Sequence, residues 1–211
     1  MIPLLPIIDA GHGGMVRGAN GRVKYDTAPK KMFDHGKNGV AYEGAINRLV
    51  AEKLVNLWLG RQYRPLAMIK TNLDLSLTQR VHFANGIYNA YKDRYCCLYL
   101  SLHANAGGGT GFEVYTTPND NVSDKYATII AEELKKEVPN FNFRQDNSDG
   151  DLDKEALFYV LAKTEMPAVL AELLFFDNPT DWQYMKTDAY VTDMANALYN
   201  ALIRAENEVK P

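Results

Sequence analysis

The sequence has little cysteine, no long apolar run and no excess of charge of one sign. Its two cysteines, Cys96 and Cys97, are adjacent, so within a strand their side chains would point to opposite faces and form neither a disulfide framework nor a shared metal site. Lysine and arginine number 23 and aspartate and glutamate 26, which leaves a net charge of −3. We therefore expect buried, reduced thiols and no nucleic-acid partner, because a strong basic field is absent.

Signals for export and membrane insertion are also missing. The apolar start, residues 1–8, contains two prolines, lacks a basic region and runs directly into Asp9, whereas a secretory signal needs positive charge, an apolar stretch and a small-residue cleavage site. No apolar run approaches the roughly 20 residues that cross a bilayer. The sequence predicts no signal peptide and no membrane insertion, so the chain would stay in the cytoplasm unless something else released it.

Short apolar runs alternate with amphipathic helical stretches along the 211 residues, a pattern typical of an α/β fold. No internal repeat or long linker divides the chain, so we expect a single domain over residues 1–211. The pattern predicts a sheet of about five or six strands flanked by helices. The predicted strands are Leu4–Ile8, Leu66–Ile69, Cys96–Leu102, Phe112–Tyr115 and Pro167–Leu170, and the predicted helices are Glu43–Trp58, one capped by Ser76, one starting at Ser123, and Asp188–Ala205.

Two polar stretches are longer than ordinary connections. Met15–Val40 is rich in glycine and in charges of both signs, and we interpret it as a functional loop over a site. Asn140–Glu155 is polar and acidic, and it is interpreted as a second exposed loop.

Polar groups capable of chemistry stand at the ends of predicted strands. His12 follows the first strand, His103 follows Cys96–Leu102, and Glu172 ends the strand that begins at Pro167. Ligands bind at the carboxyl ends of strands in open α/β sheets, so these groups could converge, with Glu43 joining them from the start of its helix. Neutral imidazoles and a carboxylate suit a catalytic zinc ion, which takes three protein ligands and keeps one open position.

The spacing by itself leaves other interpretations open. The ligands are scattered, with no compact H-E-x-x-H or C-x-x-C motif. His12 and His103 could be ordinary loop histidines, Glu43 could be a carboxylate stabilised by its helix dipole, and Glu172 could be a buried ion-pair partner. His35 and His82 have no comparable setting.

In its segments and their order the chain resembles the zinc-dependent N-acetylmuramoyl-L-alanine amidases of the Amidase_3 class, which occur among bacterial cell-wall enzymes and phage endolysins. The matching segments span nearly the whole chain. They are Ile7–Gly14, Ala41–Glu43, Ser76–Val81 with Ala84–Asn85, Ser101–Ala106, Gly111–Tyr115, and Pro167–Glu172 with Asn178–Pro179.

The resemblance implies a single α/β domain with a mostly parallel, twisted sheet of six strands and helices on both faces. It implies that His12, Glu43 and His103 hold Zn²⁺ and that Glu172 is the catalytic carboxylate. The implied reaction is hydrolysis of the amide between N-acetylmuramic acid and L-alanine in peptidoglycan, with the glycan strand and stem peptide as the partner. We expect no separate wall-binding module and favour a phage or prophage endolysin.

Asn105 and the backbone amides of Gly107 and Gly108 are candidates to hold substrate or a developing oxyanion, although such Asn-Gly sequences are often only turns. Two positions depart from the family pattern. Asn72 replaces an arginine that follows Thr71, which we expect to be structural, and Leu174 replaces a glycine, which we expect to alter the backbone near Glu172.

Two other function classes fit the same residues. A zinc carboxypeptidase acting on peptides would need a cation to anchor a terminal carboxylate, and the sequence does not assign one. A wall-binding protein without catalysis would have no reason to keep both histidines and both glutamates.

Overall fold

A six-stranded sheet forms the centre of the computed structural model, which describes residues 2–27, 30–61, 64–118, 121–146, 150 and 152–209. The sheet strands are β1 (Leu4–Ala10), β6 (Ala67–Met68), β7 (Cys96–Asn105), β8 (Phe112–Thr116), β9 (Lys154–Glu155) and β10 (Ala168–Phe175). Their spatial order is β6-β1-β7-β10-β8-β9, and only the β10–β8 pairing is antiparallel. The predicted mostly parallel sheet is confirmed.

Six α-helices, one short 3-10 helix (Gly36–Asn38) and two small hairpins complete the described part of the chain. The helices are α1 (Glu43–Leu59), α2 (Leu77–Tyr91), α3 (Val122–Glu137), α4 (Tyr159–Lys163), α5 (Pro179–Met185) and α6 (Asp188–Glu208). The hairpins pair β2 (Met15–Arg17) with β3 (Val23–Tyr25) and β4 (Met32–Asp34) with β5 (Val40–Tyr42). None of the helices in these ranges is both long and apolar enough to cross a membrane.

Alternation along the central strands divides the core into two layers. Even-numbered residues of β7, such as Leu98 and Leu100, join the larger apolar cluster, to which α1, α3 and α6 contribute. Odd-numbered residues such as Cys97 and Tyr99 join a smaller cluster with residues of α2 and α4. Successive side chains of a strand point to opposite faces, so this near-continuous apolar run is buried on both sides. Both cysteines are free thiols.

Local capping signals set two helix starts. Ser76 caps α2 as predicted: its hydroxyl accepts from Gln79 N at 3.2 Å, while the Gln79 side chain accepts from Ser76 N at 2.9 Å. For α3 the prediction of a start at Ser123 is one residue late, because Asn121 is the cap and accepts from Ser123 N at 2.8 Å.

Part of each predicted loop is ordered secondary structure. Residues 15–40 contain β2, β3 and β4, and residues 140–155 contain β9; residues 28–29, 147–149 and 151 lie outside the described residues. His35, in the first stretch, is held by the fold: its Nε2 lies 2.9 Å from the Phe176 carbonyl oxygen and its ring stacks on Trp182. His82 is exposed on α2.

Strands β7 and β10 extend further than predicted, so His103 lies within a strand rather than after it, and Glu172 lies within its strand rather than at the end. β10 continues past Glu172 through an irregularity in its pairing with β7 between Glu172 and Phe175. At this irregularity Leu174 is fully buried and has a φ of 72°, a left-handed conformation that glycine adopts without strain. Leu174 therefore holds a backbone conformation in which a residue with a side chain is strained.

Candidate metal and catalytic site

The sheet face beneath α2 and α4 carries the polar residues of the site. Alternation places Asp9 on β1, Ser101 and His103 on β7, and Glu172 on β10 toward this face, in line with the apolar residues of the smaller cluster. His103 and Glu172 are direct neighbours across the parallel pairing of β7 and β10. On this face the side chains are apolar along the first part of each strand and polar near its carboxyl end.

His12, Glu43 and His103 converge on one point. His12 Nε2 and His103 Nδ1 each lie 3.1 Å from Glu43 Oε1, and the ligand atoms of the three residues all lie within 4.8 Å of one another. The two imidazole rings are nearly perpendicular, with centroids 4.9 Å apart. The structure therefore brings together three residues that are separated by up to 91 positions in the chain, His12 coming from the turn after β1 and Glu43 from the first position of α1.

The donor set fits a zinc ion. Ligands at about 2.0–2.1 Å in a tetrahedral arrangement lie roughly 3.3 Å apart, close to the 3.1 Å separations between the carboxylate oxygen and the imidazole nitrogens. His12 Nε2 and Glu43 Oε2 are buried and make no hydrogen bond of regular geometry, although Glu43 Oε1 lies 3.1 Å from the first atom and Lys31 Nζ 3.3 Å from the second. Buried lone pairs that are poorly satisfied in this way favour a bound cation. Two imidazoles and one carboxylate leave a fourth position open, as in zinc hydrolases.

The pKa shifts of Glu43 and His12 favour the forms that bind a metal, whereas that of His103 favours its protonated form in the metal-free chain. Burial alone would raise the pKa of Glu43, but the hydrogen bonds and charges of His103 and His12 outweigh it and hold that pKa well below its usual range. Burial lowers the pKa of His12, which favours the neutral imidazole that a metal requires. For His103 burial also lowers the pKa, but Glu43 and Glu172 outweigh it and the pKa is raised.

Glu172 is a carboxyl group in an unusual setting. Burial raises its pKa to about 7, with the charge of His103 opposing the rise and that of Glu43 adding to it. Its Oε2 is buried without a hydrogen-bond partner. A carboxyl group with a pKa near neutrality can both accept and return a proton at physiological pH, which is what general acid–base chemistry needs.

A second buried glutamate lies directly opposite Glu172 across the β10–β8 pairing. Glu113 accepts hydrogen bonds from Arg144 (2.6 Å), Lys154 (2.8 Å), Tyr115 (2.7 Å) and Asn105 (2.7 Å). Burial would raise its pKa, but these donors outweigh burial and lower it. The pKa values of these two neighbouring carboxyl groups therefore shift in opposite directions because their hydrogen-bond partners differ.

A cavity of about 380 Å³ opens over this face. His12, His103 and Glu172 line it together with Lys31, whose Nζ lies 3.3 Å from Glu43 Oε2. Its walls are largely apolar and include Leu77 of α2 and Phe158 and Tyr159 near α4. The arrangement combines a metal-ligand set, a proton-accepting carboxyl group and room for a substrate, as active-site cavities do.

The three candidates for holding substrate, Asn105, Gly107 and Gly108, already have partners in the fold. Asn105 donates to Glu113 at 2.7 Å and accepts from Ala106 N at 2.8 Å. The amides of Gly107 and Gly108 both donate to Asp177 Oδ2, at 2.7 and 3.0 Å. A role for these groups in holding substrate would require these hydrogen bonds to be exchanged.

Sequence reasoning missed the residues that hold the ligands in place. Lys31 lies in a long polar stretch and carries no spacing signal, while Arg48 and Arg80 appear only as charged positions on helices. Arg80 forms a buried ion pair with Asp9, and Asp9 also accepts from Tyr99 Oη at 2.5 Å. The signal available for Arg80 was its place in the Ser76–Val81 segment, which the family shares.

Comparison with known proteins identifies a family for this chain. A family described as N-acetylmuramoyl-L-alanine amidase matches residues 7–204. The N-acetylmuramoyl-L-alanine amidase CwlM of Bacillus licheniformis is 34% identical over 203 residues, which are 95% of this chain and 68% of that protein. The endolysin of Bacillus phage SPP1 is 28% identical over 194 residues, which are 89% of this chain and 60% of that protein.

A solved structure shares the fold. The crystal structure of N-acetylmuramoyl-L-alanine amidase from Clostridium difficile 630 superposes with a TM-score of 0.73 at 20% identity, covering 100% of both chains. With most of its length matched by the family and by a relative that is 34% identical, the chain belongs to the N-acetylmuramoyl-L-alanine amidase family.

Proposed function

We propose that this chain is an N-acetylmuramoyl-L-alanine amidase that hydrolyses peptidoglycan with a zinc ion held by His12, Glu43 and His103. The observation that carries the zinc proposal is the convergence of His12 Nε2 and His103 Nδ1 on Glu43 Oε1, each at 3.1 Å. Membership of the family supports the reaction. When bound, a zinc ion polarises a carbonyl oxygen and makes a water molecule more acidic.

Glu172 is the proposed general base and acid. Its carboxylate takes a proton from the attacking water as the new carbon–oxygen bond forms at the lactyl carbonyl. The same carboxyl group then delivers that proton to the alanine nitrogen as the carbon–nitrogen bond breaks, so no proton is gained or lost overall. Burial raises the pKa of the Glu172 carboxyl group to about 7 in the metal-free chain, and the charge of a bound cation would lower that pKa, which favours the carboxylate that accepts the first proton.

The proposal is tested on purified peptidoglycan. Zinc-loaded protein should release stem peptides with a free amino-terminal L-alanine, identified by mass spectrometry, and a chelator should abolish their release. Glu172→Gln should keep zinc and lose activity by at least about 100-fold, the range usual for loss of a general base. His12→Ala should lose zinc binding as well.

Other products would contradict the amidase proposal. Release of single carboxy-terminal residues would indicate the zinc carboxypeptidase, with Lys31 as the cation that such an enzyme needs near its cavity. Tight binding to the wall without zinc uptake or product would indicate a binding protein.

We further propose an endolysin role, in which the enzyme accumulates in the host cytoplasm until a separate membrane lesion releases it to the wall. Similarity to the endolysin of Bacillus phage SPP1 supports this role. Cells that produce the protein should stay intact until their membrane is permeabilised chemically and should then lyse, whereas cells that produce Glu172→Gln should not. Lysis before permeabilisation would contradict the proposal.

A further inference from the structure

The turn that carries His12 has a constrained backbone. His12 has a φ of 61°, in the left-handed region that residues with a side chain seldom adopt. Glycine would adopt it freely, but the imidazole at this position points to Glu43. The surrounding structure must therefore hold the backbone in this conformation.

Arg48 of α1 supplies part of that support. Its Nη2 donates to the His12 carbonyl oxygen at 2.6 Å, and its Nη1 donates to the Gly44 carbonyl oxygen at 2.7 Å. Its Nε and Nη2 donate to the Thr71 carbonyl oxygen at 2.9 and 2.8 Å. A largely buried guanidinium that binds backbone carbonyls of three separate segments fixes those segments relative to one another.

Arg80 of α2 also donates hydrogen bonds to the backbone of this turn. Its Nη2 donates to the His12 carbonyl oxygen at 3.1 Å and its Nη1 to the Ala10 carbonyl oxygen at 3.1 Å. The buried ion pair with Asp9 holds the Arg80 guanidinium in place. The His12 carbonyl oxygen thus accepts from two guanidinium groups that belong to two different helices.

The hydrogen bonds of Arg48 couple the positions of two metal ligands, His12 and Glu43, through α1. Arg48 lies five residues after Glu43 on α1, so a single helix carries the ligand carboxylate and also holds the backbone of the first ligand imidazole. The two segments are in close contact, because a Cβ on Gly44 would lie 1.8 Å from the Gly13 carbonyl oxygen. The separation of His12 and Glu43 is therefore set by the protein.

We propose that Arg48 and Arg80 are positioning residues that hold the His12 turn in its left-handed conformation and thereby set the affinity of the site for zinc. The inference rests on the proposed zinc site. Groups that orient metal ligands typically change metal affinity about 10- to 100-fold when they are replaced.

The test measures zinc affinity and folding separately for the full chain. Dissociation constants for Zn²⁺ come from competition with a chromophoric chelator, well below the melting temperature measured for each metal-free variant. Arg48→Met should weaken zinc binding about 10- to 100-fold. Arg48→Lys should fall between Arg48→Met and the unaltered chain, because an ammonium group keeps the charge and loses the planar fork of donors.

Arg204→Met is the matched control. Arg204 pairs with Glu132, Glu133 and Glu208, and within the described part of the chain none of its ion pairs involves the ligand-bearing turn, so its replacement should leave zinc affinity unchanged. Wild-type zinc affinity in folded Arg48→Met would overturn the inference while leaving the proposed function intact. If Arg48→Met does not fold, unchanged affinity in Arg48→Lys overturns it. Absence of zinc binding by the unaltered chain would overturn both proposals.

Discussion

Replacing Glu172 by glutamine should change how the stability of the metal-free protein depends on pH. The carboxyl group has a pKa of about 7 in the folded chain, where burial disfavours its charged form, against a usual value of 4.5. Between these two pH values the folded chain holds a proton that the unfolded chain has released. The free energy of unfolding therefore falls as pH rises through this window.

The size of the effect follows from the same two values. One pKa unit corresponds to about 1.4 kcal/mol. The free energy of unfolding should therefore be lower at pH 7 than below pH 4.5 by at most about 3 kcal/mol. Glutamine has nearly the same shape and does not titrate. In Glu172→Gln this part of the pH dependence should disappear, and the variant should be the more stable protein near pH 7.

Urea unfolding at a series of pH values from 4.5 to 7.5 measures the difference. A chelator must be present, because a bound divalent cation would lower the pKa of a nearby carboxyl group. Parallel stability curves for the unaltered chain and Glu172→Gln would refute the reasoning, since they would show that the Glu172 carboxyl group titrates alike in the folded and unfolded chains.

Glu113→Gln should change the free energy of unfolding near neutral pH in the opposite direction to Glu172→Gln. The pKa of Glu113 is lowered because its charged donors outweigh burial, so its contribution to stability is present above pH 4.5 and is lost as pH falls through its folded value. Its replacement should therefore destabilise the protein near neutral pH. The fall in stability between pH 4.5 and 7 should remain but become slightly smaller, because the charge of Glu113 contributes to the raised pKa of Glu172, though less than burial and the charge of Glu43 do.

Three further substitutions test the packing around the site. Gly11→Ala should weaken zinc binding at least about tenfold in a metal titration, because the new Cβ would lie 2.2 Å from His103 Cε1 and displace the ring; unchanged affinity would contradict the close approach. Leu174→Gly should lower the free energy of unfolding by about 1–3 kcal/mol, because the cavity left by a fully buried leucine costs more than the removal of left-handed backbone strain returns. A rise in stability would contradict this prediction. Asp181→Ala should lower the free energy of unfolding, measured in urea, by about 3 kcal/mol. The substitution leaves Thr110 Oγ1 and the buried amides of Gly111 and Phe175 without their acceptor. A loss below about 1 kcal/mol would contradict this and indicate that water accepts these hydrogen bonds instead.

Local patterns in the sequence were sufficient for the elements and for the family. Apolar periodicity separated strands from helices, and the Ser76 cap marked the start of α2 because its hydrogen bonds lie within four residues. The run from Cys96 predicted a strand buried on both faces. Segments around His12, Glu43, His103 and Glu172 resembled one family and predicted its fold. Strand ends were less certain, because β10 continues beyond Glu172 through an irregularity that has no local signal.

Tertiary structure decided which partners those residues have. Glu113 and Glu172 are both glutamates in short apolar runs. Only folding brings Arg144 and Lys154 to Glu113, whereas Glu172 Oε2 is buried without a hydrogen-bond partner among the described residues. The same holds for Arg48, whose acceptor at Thr71 is 23 residues away. Periodicity and capping act over a few residues and can be read from the sequence. The pKa of a buried group and the conformation of a ligand turn depend on contacts between distant segments, which form only when the chain folds.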